Sequence, residues 1–185
     1  MVDGGARPAS VVVGLGNPGP AYAGTRHNVG HLVVEQLARR LGAPFRRVGA
    51  AQIADAVWRG VPLALVKLLA VMNASGPALA EVLRALGADR TALVLVHDDI
   101  DLPFGTVRTR LRGRSAGHRG LASVLETLGT TDVRRVKVGV GRPATKGEVS
   151  DWVLAPFAPE ERQVLPDVLD RAADAALALT GVAPP

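Results

Sequence analysis

At 185 residues the chain suits one domain with a full core, and the absence of cysteine excludes disulfides, thiol nucleophiles and thiolate zinc sites. No apolar run approaches the roughly 20 residues of a membrane span and the start MVDGGARPAS has no apolar signal core, so a cytoplasmic protein is expected. The formal net charge of +5 points to a polyanionic partner, and with aromatics at only 3% a nucleic acid would be held by its phosphates rather than by base stacking.

Residues 1–9 read as a loose terminus. Residues 11–15 are a mostly β-branched apolar run, the pattern of a strand buried on both faces. The run breaks into glycine, asparagine and proline and then delivers Arg26, His27 and Asn28, with Asn28 as a cap for a helix over residues 29–41. Open α/β sheets carry their ligand chemistry on loops that follow buried strands, which makes Asn17 and His27 the first candidates for a site. The string Gly14-x-Gly16-x-x-Gly19 also matches the dinucleotide fingerprint, but Pro18 and Pro20 delay the helix that should open inside it. Glu35 falls mid-helix rather than after a second strand, so that reading fails on context.

Two strands over residues 51–58 and 61–67 are joined at Arg59-Gly60, and a helix over residues 77–86 is capped by Ser75 and ended by Gly87. Residues 91–97 form another apolar strand that ends in Asp98-Asp99-Ile100-Asp101. The basic segment 107–112 alternates like a strand, and a glycine-containing loop at 113–117 leads to a helix over residues 118–128. A strand over residues 134–140 and a closing helix over residues 159–180, kinked by Pro166, complete the pattern, with residues 181–185 loose. Strands alternating with helices imply an α/β fold: one domain over residues 1–185 with a twisted, mixed, mostly parallel β-sheet flanked by helices on both faces.

Of four histidines, His27, His97 and His118 stand at strand ends or loop edges, while His31 lies inside the first helix and reads as structural. A histidine base needs a partner that fixes its tautomer, and a carboxylate at a neighbouring strand end supplies one, so His27 and Asp98 pair as base and orienter. Asn17 and Asn73 can donate to a carbonyl or to the oxyanion it becomes. Each has a plainer reading: a structural histidine, a turn-forming aspartate, a turn asparagine, a local cap. Arg108, Arg110, Arg112, Arg114 and Arg119, then Arg134, Arg135, Lys137, Arg142 and Lys146, gather the positive charge late in the chain. A magnesium site at His97, Asp98, Asp99 and Asp101 competes with an ordinary acidic turn, and no G-x-S-x-G elbow supports a serine hydrolase.

The segments VGLGNPGPAYAGTRHNVG, VMNASG, HDDIDLPFG and AGHRGL, in that order and at similar spacing, make the chain resemble the bacterial-type peptidyl-tRNA hydrolase family over nearly its whole length. The resemblance implies hydrolysis of the ester between a peptide and the 3′ end of tRNA by a cytoplasmic monomer with no cofactor and no metal. It implies that His27 is the general base, that Asp98 holds it in the basic form, that Asn17 discriminates a blocked N-acyl group and that Asn73 binds substrate. It further implies that Tyr22 contacts tRNA, Met72 lines the cleft, His118 lies near the acceptor end, and Arg110 and Lys137 meet the tRNA backbone. The chain departs from the family where Arg119 replaces the asparagine after His118 and where Val71 replaces an aromatic before Met72. Both departures bear on recognition of the tRNA 3′ end, and they motivate the alternative of a weakly active RNA-binding relative.

Overall fold

The computed structural model describes residues 7–181, apart from the side chain of Lys146. Strand β1 (Ser10–Gly14) and helix α1 (Val29–Arg40) come first, followed by the meander β2 (Arg46–Val48), β3 (Ala51–Trp58) and β4 (Val61–Leu68). Then come α2 (Ser75–Ala85), β5 (Leu93–Asp99), β6 (Val107–Arg110), α3 (Arg119–Leu128), β7 (Arg134–Gly139), α4 (Val149–Leu154) and α5 (Pro159–Leu179). The strands form one seven-stranded sheet in the order β2-β3-β4-β1-β5-β7-β6.

Every residue of β1 and β5 is buried, as continuous apolar runs at the centre of a sheet covered on both faces require. On one face α1 and α5 pack through Val33, Val34, Leu37, Leu169, Ala173 and Leu177; on the other, α2 and α3 pack through Leu79, Val82, Leu121 and Val124. The sheet is mixed, as expected, but parallel pairing is confined to its centre. Three pairings are parallel (β1 with β4 and β5, β5 with β7) and three are antiparallel (β2 with β3, β3 with β4, β6 with β7), so "mostly parallel" holds only for the middle strands.

The chain leaves β1 toward β4 and then crosses from β4 to β5 on the other side of β1. That reversal opens a crevice at the carboxyl ends of β1 and β5, where doubly wound sheets bind ligands. Gly14 and Gly30 bring α1 directly onto this end of the sheet: a Cβ on Gly14 would lie 2.1 Å from the Gly30 carbonyl oxygen, and one on Gly30 would lie 2.4 Å from that of Val96.

Several local expectations change. Asn28 stands at the start of α1, but its side chain makes no cap and pairs with the backbone of Asn17 instead. Ser75 is the first residue of α2, and its hydroxyl donates to the Met72 carbonyl at 2.7 Å rather than capping the helix. Strand β2 and helix α4 have no counterpart in the sequence pattern, because three and six residues are too few to display a period. Helix α5 runs through Pro166 unbroken. Of the expected loose termini, residues 1–6 and 182–185 lie outside the described residues. Residues 7–9 are tied down, by Arg7 to Asp89 at 2.6 Å and by the Ala9 N–H to the Pro62 carbonyl at 2.9 Å.

Candidate active site

A cleft of about 930 Å³ crosses the carboxyl ends of β1 and β5. Asn17, Tyr22, His27, Val71, Met72, Asn73, Asp98, Arg110, His118, Arg119 and Lys137 all line it, so residues spread along most of the chain meet in one place.

His27 sits on a short 3-10 turn, Arg26–Asn28, that leads into α1, and Asp98 is the sixth residue of β5. Nδ1 of His27 lies 2.9 and 3.0 Å from the two carboxylate oxygens of Asp98. An ionised carboxylate only accepts, so Nδ1 carries the proton and Nε2 keeps its lone pair. The Asp98 side chain is 2% exposed and that of His27 is 13% exposed, which leaves the imidazole at the cleft wall and the carboxylate hidden behind it. Burial alone pushes the Asp98 carboxyl up, but the electrostatic pull and hydrogen bond of His118, joined by those of His27, hold it well below the usual carboxylate range.

His118 caps α3: its Nδ1 accepts the Leu121 N–H at 3.1 Å, and its Nε2 lies 2.9 Å from Asp98 Oδ1. Both ring nitrogens are therefore engaged inside the protein. The ring of His97 stands edge-on to His118 at 4.9 Å, and its Nδ1 donates to the Asp98 backbone carbonyl at 2.7 Å. Burial pushes His97 down to about 3 and His31, aided by Lys67, down to about 4, so both are neutral at pH 7.

Asn17 is held by three bonds. Its backbone N–H donates to Asn28 Oδ1 at 2.8 Å, its carbonyl accepts from Asn28 Nδ2 at 2.9 Å, and its Oδ1 accepts the Met72 N–H at 2.8 Å. The last bond commits the amide oxygen and leaves Nδ2 as the group Asn17 can offer to a ligand. Asn73 follows on the exposed side of the turn Met72–Ala74, beside Val71, which is 57% exposed.

On the basic wall, Arg110 and Arg119 are exposed, whereas Lys137 is paired with Asp99 at 2.5 Å. The acidic run does not assemble as a metal site: Asp99 pairs with Lys137, Asp101 with Arg142, and His97 with backbone. Among the described residues the group whose ligand atoms converge, within 4.8 Å, is His27, Asp98 and His118. There His27 Nδ1 and His118 Nε2 are both hydrogen-bonded to the Asp98 carboxylate.

Three supports of the site are visible only in the fold. Asn28 clamps Asn17, although its position after His27 gave only a cap signal. Arg26 is buried, with Nη2 on Glu161 at 2.6 Å, Nη1 on the Pro156 carbonyl at 2.8 Å and its guanidinium 3.9 Å from the Trp152 ring centre. It thereby ties the His27 turn to the start of α5. Arg135 is also buried and donates to the Arg114 carbonyl at 3.0 Å, bracing the 113–117 loop. Nothing in the late run of arginines marks Arg135 as a buried member, and Arg26, which stands outside that run, carries no local sign of burial.

The family model described as peptidyl-tRNA hydrolase matches residues 11–182. The peptidyl-tRNA hydrolase of Chloroflexus aggregans is 46% identical over 167 residues, covering 89% of each chain. That of Frankia alni is 43% identical over 165 residues, or 89% of this chain and 84% of its own. The crystal structure of the Acinetobacter baumannii peptidyl-tRNA hydrolase superposes with a TM-score of 0.84 at 26% identity, covering 96% of this chain and 98% of that one. Uridine phosphorylase of Vibrio fischeri, at a TM-score of 0.54 and 10% identity, shares the fold alone.

Proposed function

The chain belongs to the peptidyl-tRNA hydrolase family, and from that premise we propose how its cleft cleaves the ester that joins a peptide to tRNA. The observation that carries the reading is the His27–Asp98 pair, with Nδ1 2.9 Å from a buried carboxylate on a ring that lines the cleft, the arrangement that leaves Nε2 to act as the base. A water on Nε2 loses its proton as it attacks the ester carbonyl, and Asp98 stabilises the imidazolium that forms. Asn73 steadies the oxyanion, while Asn17 Nδ2 pairs with the peptide amide, a contact that a free, charged amino group cannot make. The proton held on His27 then passes to the departing 3′ oxygen. An aminoacyl ester is already activated, so positioning, a base and oxyanion donors suffice without a cofactor.

Tyr22, Val71 and Met72 form the less polar side of the cleft that receives the acceptor end, and Arg110, Arg119 and Lys137 meet backbone phosphates. Among the described residues no helix is long and apolar enough to cross a membrane. On this reading the enzyme works as a one-domain monomer in the cytoplasm, where its substrate is made. The intact dyad and both asparagines argue against a non-catalytic RNA-binding relative.

The test is hydrolysis of N-acetyl-aminoacyl-tRNA beside the unacetylated form, each with wild type and His27→Ala. Cleavage of the blocked substrate alone, reduced about 10²- to 10⁴-fold in the variant, is expected. Equal rates for wild type and folded variant would sink the assignment of the base.

A further inference from the structure

The carboxylate of Asp98 is shared. Oδ1 lies 2.9 Å from His27 Nδ1 and 2.9 Å from His118 Nε2, while Oδ2 lies 3.0 Å from His27 Nδ1. The second histidine is not free to choose its tautomer. Its Nδ1 accepts the Leu121 N–H at the start of α3, so that atom cannot carry a hydrogen, and in the neutral ring the proton must sit on Nε2, aimed at Asp98. The ring is fixed as well as the proton. His97 packs edge-on against it, and a Cβ on Gly120 would come within 3.3 Å of its Cε1 and 2.3 Å of Met72 Sδ.

We propose that His118 is a positioning residue for the hydrolytic dyad: its capping bond on α3 locks the tautomer that donates to Asp98, and that donation limits how strongly Asp98 holds a proton on His27. This rests on the reading of His27 as base. A carboxylate that already accepts a fixed N–H has less charge to offer an imidazolium, so His27 takes the proton from water and still releases it to the leaving oxygen. It also means that His118 has no ring nitrogen left for tRNA.

Substituting His118 leaves the other charged or titratable groups near the dyad in place, and only His97, whose ring packs on it, loses an influence that adds to burial in lowering its pKa. On β5 they are His97, which burial keeps neutral, and Asp99, paired with Lys137 on β7. Arg26, on the same turn as His27, is paired with Glu161 of α5, and Arg135 of β7 lines the cleft floor. Arg119 begins α3 and Asp151 lies exposed on α4.

The test uses His118→Asn. Asparagine is a favoured N-cap and can accept the Leu121 N–H, but its amide is too short to reach Asp98 from the same position, so the helix cap survives and the carboxylate bond does not. The His27 titration is followed by NMR in the free enzyme, alongside the pH profile of kcat/KM and the KM for N-acetyl-aminoacyl-tRNA at several salt concentrations. We expect the His27 titration and the acid limb of the profile to move up together by roughly half to one pH unit. KM and its salt dependence should not change. An unmoved His27 titration overturns the positioning role, and a raised KM with a flatter salt dependence would then mark His118 as a tRNA contact. A shifted titration with an acid limb that stays put would overturn the reading of His27 as base and leave the role of His118 standing.

Discussion

Asp98 takes hydrogen bonds from two histidines, and each of those bonds requires an acceptor. Asp98→Asn supplies one acceptor oxygen and one amide nitrogen in the same volume, so at least one histidine meets N–H with N–H unless its ring changes tautomer. If His27 is the one that changes, its proton moves to Nε2 and the base is lost. We expect kcat to fall by about 10²-fold or more with KM little altered, read in steady-state kinetics on a variant whose melting curve still shows a cooperative fold. The same logic explains why Asn28 matters beyond its own turn. Its side chain reproduces a backbone pairing with Asn17 and so fixes the direction of the Asn17 amide.

The site depends on how closely α1 approaches the sheet. The helix start carries the His27 turn, and it reaches the ends of β1 and β5 only because residue 30 has no side chain. A methyl group there would sit 2.4 Å from the Val96 carbonyl oxygen in β5 and 2.6 Å from that of Leu15, the residue after β1. Gly30→Ala must therefore push α1 outward. Overpacking of this kind costs about 1–3 kcal/mol or more, so a drop in Tm of roughly 5 °C is expected by calorimetry. Gly24→Ala, where nothing lies within 4 Å, serves as the control and should leave Tm within about a degree. Gly14 and Gly30 thus serve helix-on-sheet packing.

The whole molecule carries two buried neutral histidines, His31 at about 4 and His97 at about 3. In the unfolded chain both return to an ordinary value near 6.5. Between pH 6.5 and those lowered values the unfolded state binds more protons than the folded one, so stability falls as pH falls across that window. Asp98, held below the usual carboxylate range, adds a loss in the same direction at still lower pH. Tm measured from pH 7.5 down to pH 4.5 should decline steadily below about 6.5, and His31→Gln should make the decline shallower. A Tm that is flat across this range would contradict the buried neutral state of both rings.

The sequence alone determined the alternation of strands and helices, the central position of the apolar runs and the candidate residues for a site. Hydrophobic period, glycine punctuation and motif spacing are local properties that each segment carries with it. His27 and Asp98, Asn17 and Asn73 were legible for that reason, since each stands where a buried strand or a loop after it ends. Only the tertiary structure decided which of these groups touch. The bond from His27 to Asp98 spans 71 residues, and it exists because the register of β1 on β5 sets two strand ends side by side. The assembled fold also turned His118 inward to share Asp98, gave Asn28 to Asn17 instead of to a helix cap, buried Arg26 and Arg135, and limited parallel pairing to the middle of the sheet. Hydrogen-bond partners and burial are properties of the assembled layers, so no periodicity within one segment can announce them.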